Sequence, residues 1–130
     1  MQILTIDDDP AFQLLISTLL RSRNIAVVGA ADAIQAISIA REKRPDVILL
    51  DIGLPGGDGF LILERLKVNK LLSTIPVIIV TARNLKEVEE KALRAGAAAS
   101  LQKPVNIDGL LTVIEEVLRN LRQTGGTQPM

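Results

Sequence analysis

Four short apolar runs, rich in β-branched side chains, constrain most strongly how this chain can fold. They occupy residues 3–6, 25–28, 47–50 and 77–80. None alternates apolar with polar residues, which is the pattern of strands buried on both faces of a parallel sheet. Segments with helical spacing lie between the runs, so the sequence predicts alternating strands and helices. A fifth, less regular strand is predicted at residues 98–102.

The predicted fold is therefore an α/β domain, a doubly wound parallel sheet of five strands with five helices. Asp9 and Pro10 form an N-cap and a first helical position, which start the first helix. The other helices are predicted at residues 33–43, 60–71, 85–95 and 107–121. The domain is expected to span residues 1–122, and the Gly-containing residues 123–130 are predicted to be a disordered tail or a linker stub.

The composition excludes several classes of chemistry. The chain has no Cys and no His, which excludes disulfides, thiolate zinc sites, cysteine nucleophiles and imidazole catalysis. Lys+Arg and Asp+Glu balance at 15 each, so no excess charge indicates nucleic acid or an anionic membrane as a partner. No apolar run reaches the roughly 18 residues of a membrane span, and the N-terminus lacks the basic start of a signal peptide. We expect a cytoplasmic protein.

Polar residues follow the apolar runs at the points where the predicted strands end. Asp7 and Asp8 follow the first run. Asp51, Thr81 and Lys103 follow the third, fourth and fifth strands. The carboxyl ends of parallel strands share one edge of the sheet, and open α/β sheets bind ligands there. These five side chains should therefore converge on one site.

Three carboxylates at one edge repel one another, and a cation has to offset that repulsion. A close pair costs about 4 kcal/mol at roughly 4 Å and an effective dielectric constant of about 20. Lys103 supplies one positive charge, and oxygen donors favour Mg²⁺ as the second, with Mn²⁺ as an alternative. Such a site suits phosphoryl transfer, with Thr81 and Lys103 facing the phosphoryl oxygens. Asp51 is then the predicted nucleophile that forms an acyl phosphate, and Asp7 and Asp8 hold the metal.

Each of these residues also has an ordinary structural interpretation. An Asp after a strand can cap the next helix. Thr81 can be a strand-end hydroxyl, and Lys103 a solvated surface charge. Asp9 is better placed for capping than Asp7 or Asp8. The joint pattern favours the chemical interpretation, because every one of the five groups falls at the carboxyl end of a predicted strand.

The order and spacing of several motifs resemble the receiver domain of two-component response regulators, of the chemotaxis-regulator type, over residues 1–122. The motifs are Ile-Leu-Thr-Ile-Asp-Asp-Asp-Pro from Ile3, Pro-Asp-Val-Ile-Leu-Leu-Asp-Ile-Gly-Leu-Pro-Gly-Gly-Asp-Gly from Pro45, Val-Ile-Ile-Val-Thr-Ala from Val77, Gly96-Ala97 and Gln102-Lys103-Pro104. The resemblance implies a flavodoxin-like strand order 2-1-3-4-5 in a three-layer αβα domain. It also implies a phosphorelay protein that takes a phosphoryl group on Asp51 from a histidine kinase or phosphotransfer protein and signals by changing conformation.

The resemblance further implies roles for individual residues. The three aspartates would bind Mg²⁺ together with the backbone carbonyl of Gly53. Thr81 and Lys103 would contact the phosphoryl group, and the bond between Lys103 and Pro104 is expected to be cis. The chain would not be an enzyme beyond its own phosphorylation and dephosphorylation at the acceptor.

Two departures from the family pattern affect switching and phosphoryl lifetime. Ser100 stands where the family usually has an aromatic ring on strand five, which couples to the threonine. Either the output surface switches through backbone and helix movement, or the conformational signal is weak. Gly53 and Arg83 occupy two positions that commonly tune dephosphorylation, so a changed phosphoryl lifetime is predicted, without a direction.

Two alternative functions remain open at this point. A haloacid-dehalogenase-type phosphatase also begins with a strand and Asp-x-Asp, as in Asp7 and Asp9, but Ala11 replaces the expected hydroxyl or Val and the chain is short. A degenerate receiver would act only as a protein-binding module. The chain is expected to be a monomer or a weak homodimer, the latter through Val113 and Val117. The sequence names neither the kinase nor its input signal nor the output partner.

Overall fold

The computed structural model describes residues 1–53 and 59–127, with side chains as far as residue 122. Strands and helices alternate along the chain: β1 (Gln2–Ile6), α1 (Pro10–Arg21), β2 (Ala26–Ala30), α2 (Ala33–Lys43), β3 (Val47–Leu50), α3 (Gly59–Val68), β4 (Val77–Thr81), α4 (Leu85–Arg94), β5 (Ala99–Gln102) and α5 (Ile107–Thr127). All neighbouring strands are parallel, in the order β2-β1-β3-β4-β5. The predicted α/β class and strand order are confirmed.

The sheet separates two hydrophobic cores, which explains why its strands are apolar on both faces. Alternate strand residues, such as Ile48 and Leu49 of β3, point to opposite sides of the sheet and enter different cores. One core lies against α2, α3 and α4, and the other lies against α1 and α5. This is the three-layer arrangement that the resemblance implies.

Three element boundaries differ by more than one residue from those predicted. β2 runs to Ala30 rather than to residue 28, because it pairs with β1 as far as Ile6. α3 ends at Val68 rather than at residue 71, since the side chain of Asn69 accepts a hydrogen bond from the Leu71 N–H and forms a turn. α5 continues to Thr127, beyond the predicted end at residue 121.

The C-terminal part of the chain bears on the predicted tail and on the predicted apolar outer surface of α5. Residues 123–127 continue α5, and residues 128–130 lie outside the described residues, so the domain end at residue 122 and the tail at residues 123–130 stay predictions. Val117 was a candidate for an apolar outer surface, but it is buried, whereas Val113 is half-buried. Val117 belongs to the core because it faces the sheet with Ile114. Within the described ranges, no helix is long and apolar enough to cross a membrane.

Candidate functional site

The carboxyl edge of the sheet brings together the three aspartates singled out in the sequence. Asp7 and Asp8 follow β1, and Asp51 follows β3, its neighbour in the sheet. One carboxylate oxygen of each lies within 4.8 Å of the others. Asp7 is buried, Asp51 is partly buried and Asp8 is exposed, so the cluster reaches from the protein interior to its surface. The predicted convergence of the carboxylates is confirmed.

Asp7 is only 2% exposed, and a buried carboxylate must be paired to be tolerated. Its Oδ2 accepts a hydrogen bond of 2.8 Å from Nζ of Lys103. Its Oδ1 accepts a bond of 2.9 Å from the N–H of Asp9. The Asp7 carboxylate is thus fixed by Lys103, which follows β5, and by Asp9, which precedes α1.

Lys103 lies between two of the carboxylates. Its Nζ is 3.8 Å from Oδ2 of Asp51, in addition to its bond to Asp7. The same atom sits 4.1 Å from the centre of the Phe12 ring, where a cation–π interaction further stabilises the ammonium group. Its backbone N–H donates to the carbonyl of Thr81, and its peptide bond to Pro104 is cis, the isomer that the resemblance implies. Lys103 is therefore a fixed, largely buried cation rather than a solvated surface charge.

Asp51 has an environment that disfavours its charged form. Oδ1 accepts a hydrogen bond of 2.9 Å from the Gly53 N–H, and Oδ2 faces Lys103. Burial raises the pKa of the Asp51 carboxyl above its ordinary value, and nearby Asp7 and Asp8 add to the rise. The Gly53 N–H and Lys103 lower the pKa in part but do not cancel the rise. A further cation at the cluster would favour the ionised carboxylate.

Two hydroxyl side chains lie on β4 and β5: Thr81 at the carboxyl end of β4, and Ser100 within β5. Thr81 is buried, and its Oγ1 accepts a hydrogen bond of 3.0 Å from the Arg83 N–H, which leaves the hydroxyl proton available to a ligand. Ser100 lies on β5 opposite Ile79 of β4. Its Oγ is buried and has no hydrogen-bond partner among the described residues.

Two residues of α1 approach this edge in ways the sequence did not reveal. Phe12 lies on α1, and its ring covers Nζ of Lys103. Gln13 was not singled out, yet its side-chain amide binds three backbone carbonyls at the ends of β1 and β2. Gln13 stands three residues before buried Ile16, and this placement of a polar residue on the inward face was the available signal.

Asp9, the second acid of the alternative Asp-x-Asp motif, has a different task. It is the N-cap of α1, and its Oδ1 accepts a hydrogen bond of 2.9 Å from the Ala11 N–H. It is absent from the group of carboxylates that could hold a metal ion in the described part of the chain. The expectation that Asp9, rather than Asp7 or Asp8, serves as the cap is confirmed.

Residues 3–115 match the family model of the response regulator receiver domain, and the chain belongs to this family. It is 36% identical over 118 residues to a putative transcriptional regulator of Pseudomonas aeruginosa, covering 90% of this chain and 56% of that regulator. It is 35% identical to the protein PilH of Pseudomonas aeruginosa, covering 90% of this chain and 97% of PilH. The chain thus spans about half the length of one relative and nearly all of the other.

Among solved structures, the chain resembles the receiver domain of a sensor histidine kinase from Pseudomonas aeruginosa, with a TM-score of 0.82 and 32% identity. The match covers 91% of this chain and 97% of that domain, whose structure has a magnesium ion coordinated in the active site cleft. The present chain is a phosphoacceptor receiver domain with an acidic pocket of three aspartates and Lys103. It is a phosphorylation-based signalling module.

The donor set of the pocket fits a hard divalent cation. All three groups offer carboxylate oxygens, the ligands that Mg²⁺ prefers, and their spacing allows one ion to contact them together. Burial is the main cause of the raised pKa of Asp51, and the negative charges of Asp7 and Asp8 add to it, so a cation at this edge would favour the ionised carboxylate. The acidic cluster is therefore consistent with a Mg²⁺ site.

Proposed function

We propose that Asp51 is the residue that accepts the phosphoryl group, from a histidine kinase or a histidine phosphotransfer protein. The observation that carries the proposal is the position of Asp51 between its neighbours. One oxygen is tied to the Gly53 N–H at 2.9 Å, while Oδ2 faces Nζ of Lys103 at 3.8 Å, in the cluster with the other two aspartates. An oxygen in this position can attack phosphorus while positive charge faces the incoming phosphoryl group.

In the transfer, one bond to phosphorus forms as another breaks. An oxygen of Asp51 bonds to phosphorus while the phosphorus–nitrogen bond of the donor phosphohistidine breaks, and the histidine nitrogen keeps the electron pair of that bond. Lys103 faces the negative charge on the phosphoryl oxygens, and the Thr81 hydroxyl donates a hydrogen bond to one of them. Loss of the phosphoryl group to water is a separate step. The water oxygen bonds to phosphorus as the bond between phosphorus and the Asp51 oxygen breaks, that oxygen keeps the electron pair, and the proton of the water passes to the released phosphate or to solvent.

Asp7, Asp8 and Asp51 would hold Mg²⁺ together with the backbone carbonyl of Gly53, and Mn²⁺ is the alternative ion. When bound, the ion supplies positive charge that offsets the charge of the phosphoryl oxygens. Asp7 is fixed by Lys103 and by the Asp9 N–H, so it needs little rearrangement to serve as a ligand. Exposed Asp8 would complete the site from the solvent side.

Gly53 and Arg83 would tune the lifetime of the phosphoryl group. Gly53 follows Asp51 by two positions, and Arg83 follows Thr81 by two positions. A Cβ at Gly53 would lie 3.5 Å from Oδ1 of Asp51, so any side chain there stands beside the acceptor. Ser100 would stand where the family usually has the aromatic switch, so either the output surface switches through backbone and helix movement or the conformational signal is weak. Receiver domains act with histidine kinases, and we place this phosphorelay step in the cytoplasm.

Incubation with acetyl phosphate and Mg²⁺, followed by intact-mass measurement, tests the assignment of Asp51. We expect a single phosphate adduct on the wild-type chain, none without Mg²⁺, and none on Asp51→Asn. Asp108→Asn is the matched control, since Asp108 is an exposed acid that pairs with Arg23 and does not belong to the group of carboxylates that could hold a metal ion among the described residues. Absence of the adduct on the wild type would favour a pure binding module. Loss of the adduct in Asp7→Asn but not in Asp51→Asn would favour a phosphatase-type nucleophile.

A further inference from the structure

The side-chain amide of Gln13 bridges the ends of β1 and β2 beneath the acidic pocket. Its Nε2 lies 3.1 Å from the carbonyl oxygen of Thr5, 3.0 Å from that of Asp7 and 3.0 Å from that of Ala30. Its Oε1 accepts a hydrogen bond from the hydroxyl of Thr5. Gln13 is half-buried on α1, so one helix residue joins two strand ends.

Two of these contacts, those with the Thr5 hydroxyl and the Asp7 carbonyl, satisfy groups that have no other partner among the described residues. Thr5 is only 1% exposed, so its hydroxyl needs an acceptor, which Oε1 provides. The Asp7 carbonyl lies past the end of β1, whose strand pairing stops at Ile6. An amide donates and accepts at once, and this suits the hydroxyl and the carbonyls together.

The bond to the Asp7 carbonyl bears directly on the metal ligands. That carbonyl belongs to the peptide unit that joins Asp7 to Asp8, so its direction sets the relative orientation of the two side chains. The N–H of Asp7 is also fixed, since it donates to the Ala30 carbonyl at 3.0 Å, and Gln13 donates to the same oxygen. Asp7 is thus held by hydrogen bonds on both of its backbone sides.

We propose that Gln13 is a positioning residue for the metal-binding carboxylates, acting through the peptide unit between Asp7 and Asp8. The proposal rests on the proposed function, because it takes those two aspartates as ligands of Mg²⁺. Gly29 on the edge strand β2 gives the amide its space. A Cβ there would lie 3.2 Å from Oε1 and 3.5 Å from Nε2 of Gln13, tight enough to displace the amide.

Titration calorimetry of Mg²⁺ binding to the unphosphorylated chain tests this role. Gln13→Met keeps the length of the side chain and removes all four hydrogen bonds. We expect the dissociation constant for Mg²⁺ to rise by about 10-fold, as for other residues that orient metal ligands. At saturating Mg²⁺, the rate of phosphorylation by acetyl phosphate should return to within about twofold of the wild-type rate, because Gln13 touches no reacting atom.

Ser17→Ala is the matched control. Ser17 lines the same groove as Gln13 on α1, but its hydroxyl donates only to the Leu14 carbonyl of its own helix. We expect its Mg²⁺ affinity to equal that of the wild type. All titrations are run at a temperature at which circular dichroism shows each variant to be folded, so that a loss of stability does not mimic a loss of affinity.

Thr5→Val tests the same arrangement independently, since it removes only the hydroxyl that fixes Oε1. It should weaken Mg²⁺ binding in the wild-type background, and where Gln13→Met folds, it should have no further effect in that variant. An unchanged Mg²⁺ affinity in folded Gln13→Met, or in folded Thr5→Val where the former fails to fold, would overturn the positioning role while leaving the proposed function intact. A wild-type chain that binds no Mg²⁺ would overturn both.

Discussion

The Nζ atom of Lys103 donates a hydrogen bond of 2.8 Å to Oδ2 of Asp7, across 96 positions of sequence. Both side chains are largely shielded from water, with 18% of Lys103 and 2% of Asp7 exposed. Such a pair stabilises the fold only while both partners are present, because removal of one leaves a buried charge unpaired. The contact also joins the first and last strands of the chain at the acidic pocket.

Lys103→Met should therefore destabilise the protein. We expect the free energy of unfolding in the absence of metal to fall by about 3–5 kcal/mol, since Asp7 is left charged and buried. Mg²⁺ should restore part of the loss, because it supplies positive charge at the same carboxylates. Urea denaturation with and without Mg²⁺ measures both effects. The control is Lys86→Met, at an exposed position of α4, and an equal loss there would contradict the explanation.

The gathering of the five groups could be predicted from the sequence for one physical reason. In a parallel sheet, the end of each apolar run is also a point on the common edge, so Asp51, Thr81 and Lys103 were placed without any tertiary information. The fold class followed from the same runs, because strands covered on both faces cannot alternate apolar with polar residues.

The hydrogen bonds of Gln13 and the ends of the helices could not be predicted from the positions of the apolar runs. The helical spacing of α1 puts Gln13 on the inward face, but it does not show that three strand-end carbonyls lie within reach of the amide. The end of α3 depends on one local competition, in which the Asn69 side chain binds the Leu71 N–H and the helix stops at Val68. Spacing alone does not predict such a competition.

Asp51→Asn should stabilise the metal-free protein at neutral pH. The pKa of Asp51 is raised in the folded state above its ordinary value of 3.8, mainly by burial, so ionisation of Asp51 works against folding. The stability linked to its neutral form is present below pH 3.8 and is lost as the pH rises through the folded pKa. Asn, which stays neutral, avoids that loss.

Urea denaturation of the wild type and Asp51→Asn over a range of pH checks this linkage. The advantage of the variant should shrink as the pH falls toward 3.8, where the wild-type carboxyl becomes neutral as well. Saturating Mg²⁺ should stabilise the wild type more than the variant, because Asp51 is a proposed ligand. An advantage that does not change with pH would contradict this cause.

Ser100→Ala should be neutral or stabilising, in contrast to most substitutions inside a protein. The Ser100 hydroxyl is buried without a partner among the described residues, and burial of such a group costs about 1–3 kcal/mol. Its removal should raise the midpoint of thermal unfolding and leave the rate of phosphorylation by acetyl phosphate unchanged. Thr81→Ala is the comparison, since the Thr81 hydroxyl accepts a hydrogen bond from the Arg83 N–H. Its removal should lower both the midpoint of thermal unfolding and the rate of phosphorylation. A clear loss of stability in Ser100→Ala would mean that its hydroxyl has a favourable interaction.

Gly59→Ala should be among the most destabilising single changes in the chain. Gly59 begins α3, and a Cβ there would lie 2.4 Å from Cα of Ile52 and 2.5 Å from the carbonyl oxygen of Asp51. These are backbone atoms, so the steric clash can be removed only if α3 moves away from the end of β3. That end of β3 lies next to Asp51, the proposed phosphoryl acceptor. We expect a loss of about 3 kcal/mol or more in the free energy of unfolding, at the upper end for overpacking, together with weaker Mg²⁺ binding.

Gly109→Ala is the matched change on another helix, and it should act in the opposite direction. A Cβ at Gly109 would lie no closer than 3.9 Å to the nearest atoms, which belong to Asn106. Alanine is the better helix former, so α5 should gain up to about 1 kcal/mol. Urea denaturation of both variants gives the comparison. Because the two substitutions are chemically identical, an equal effect at both sites would show that the close approach of Gly59 to Asp51 is not what requires glycine there.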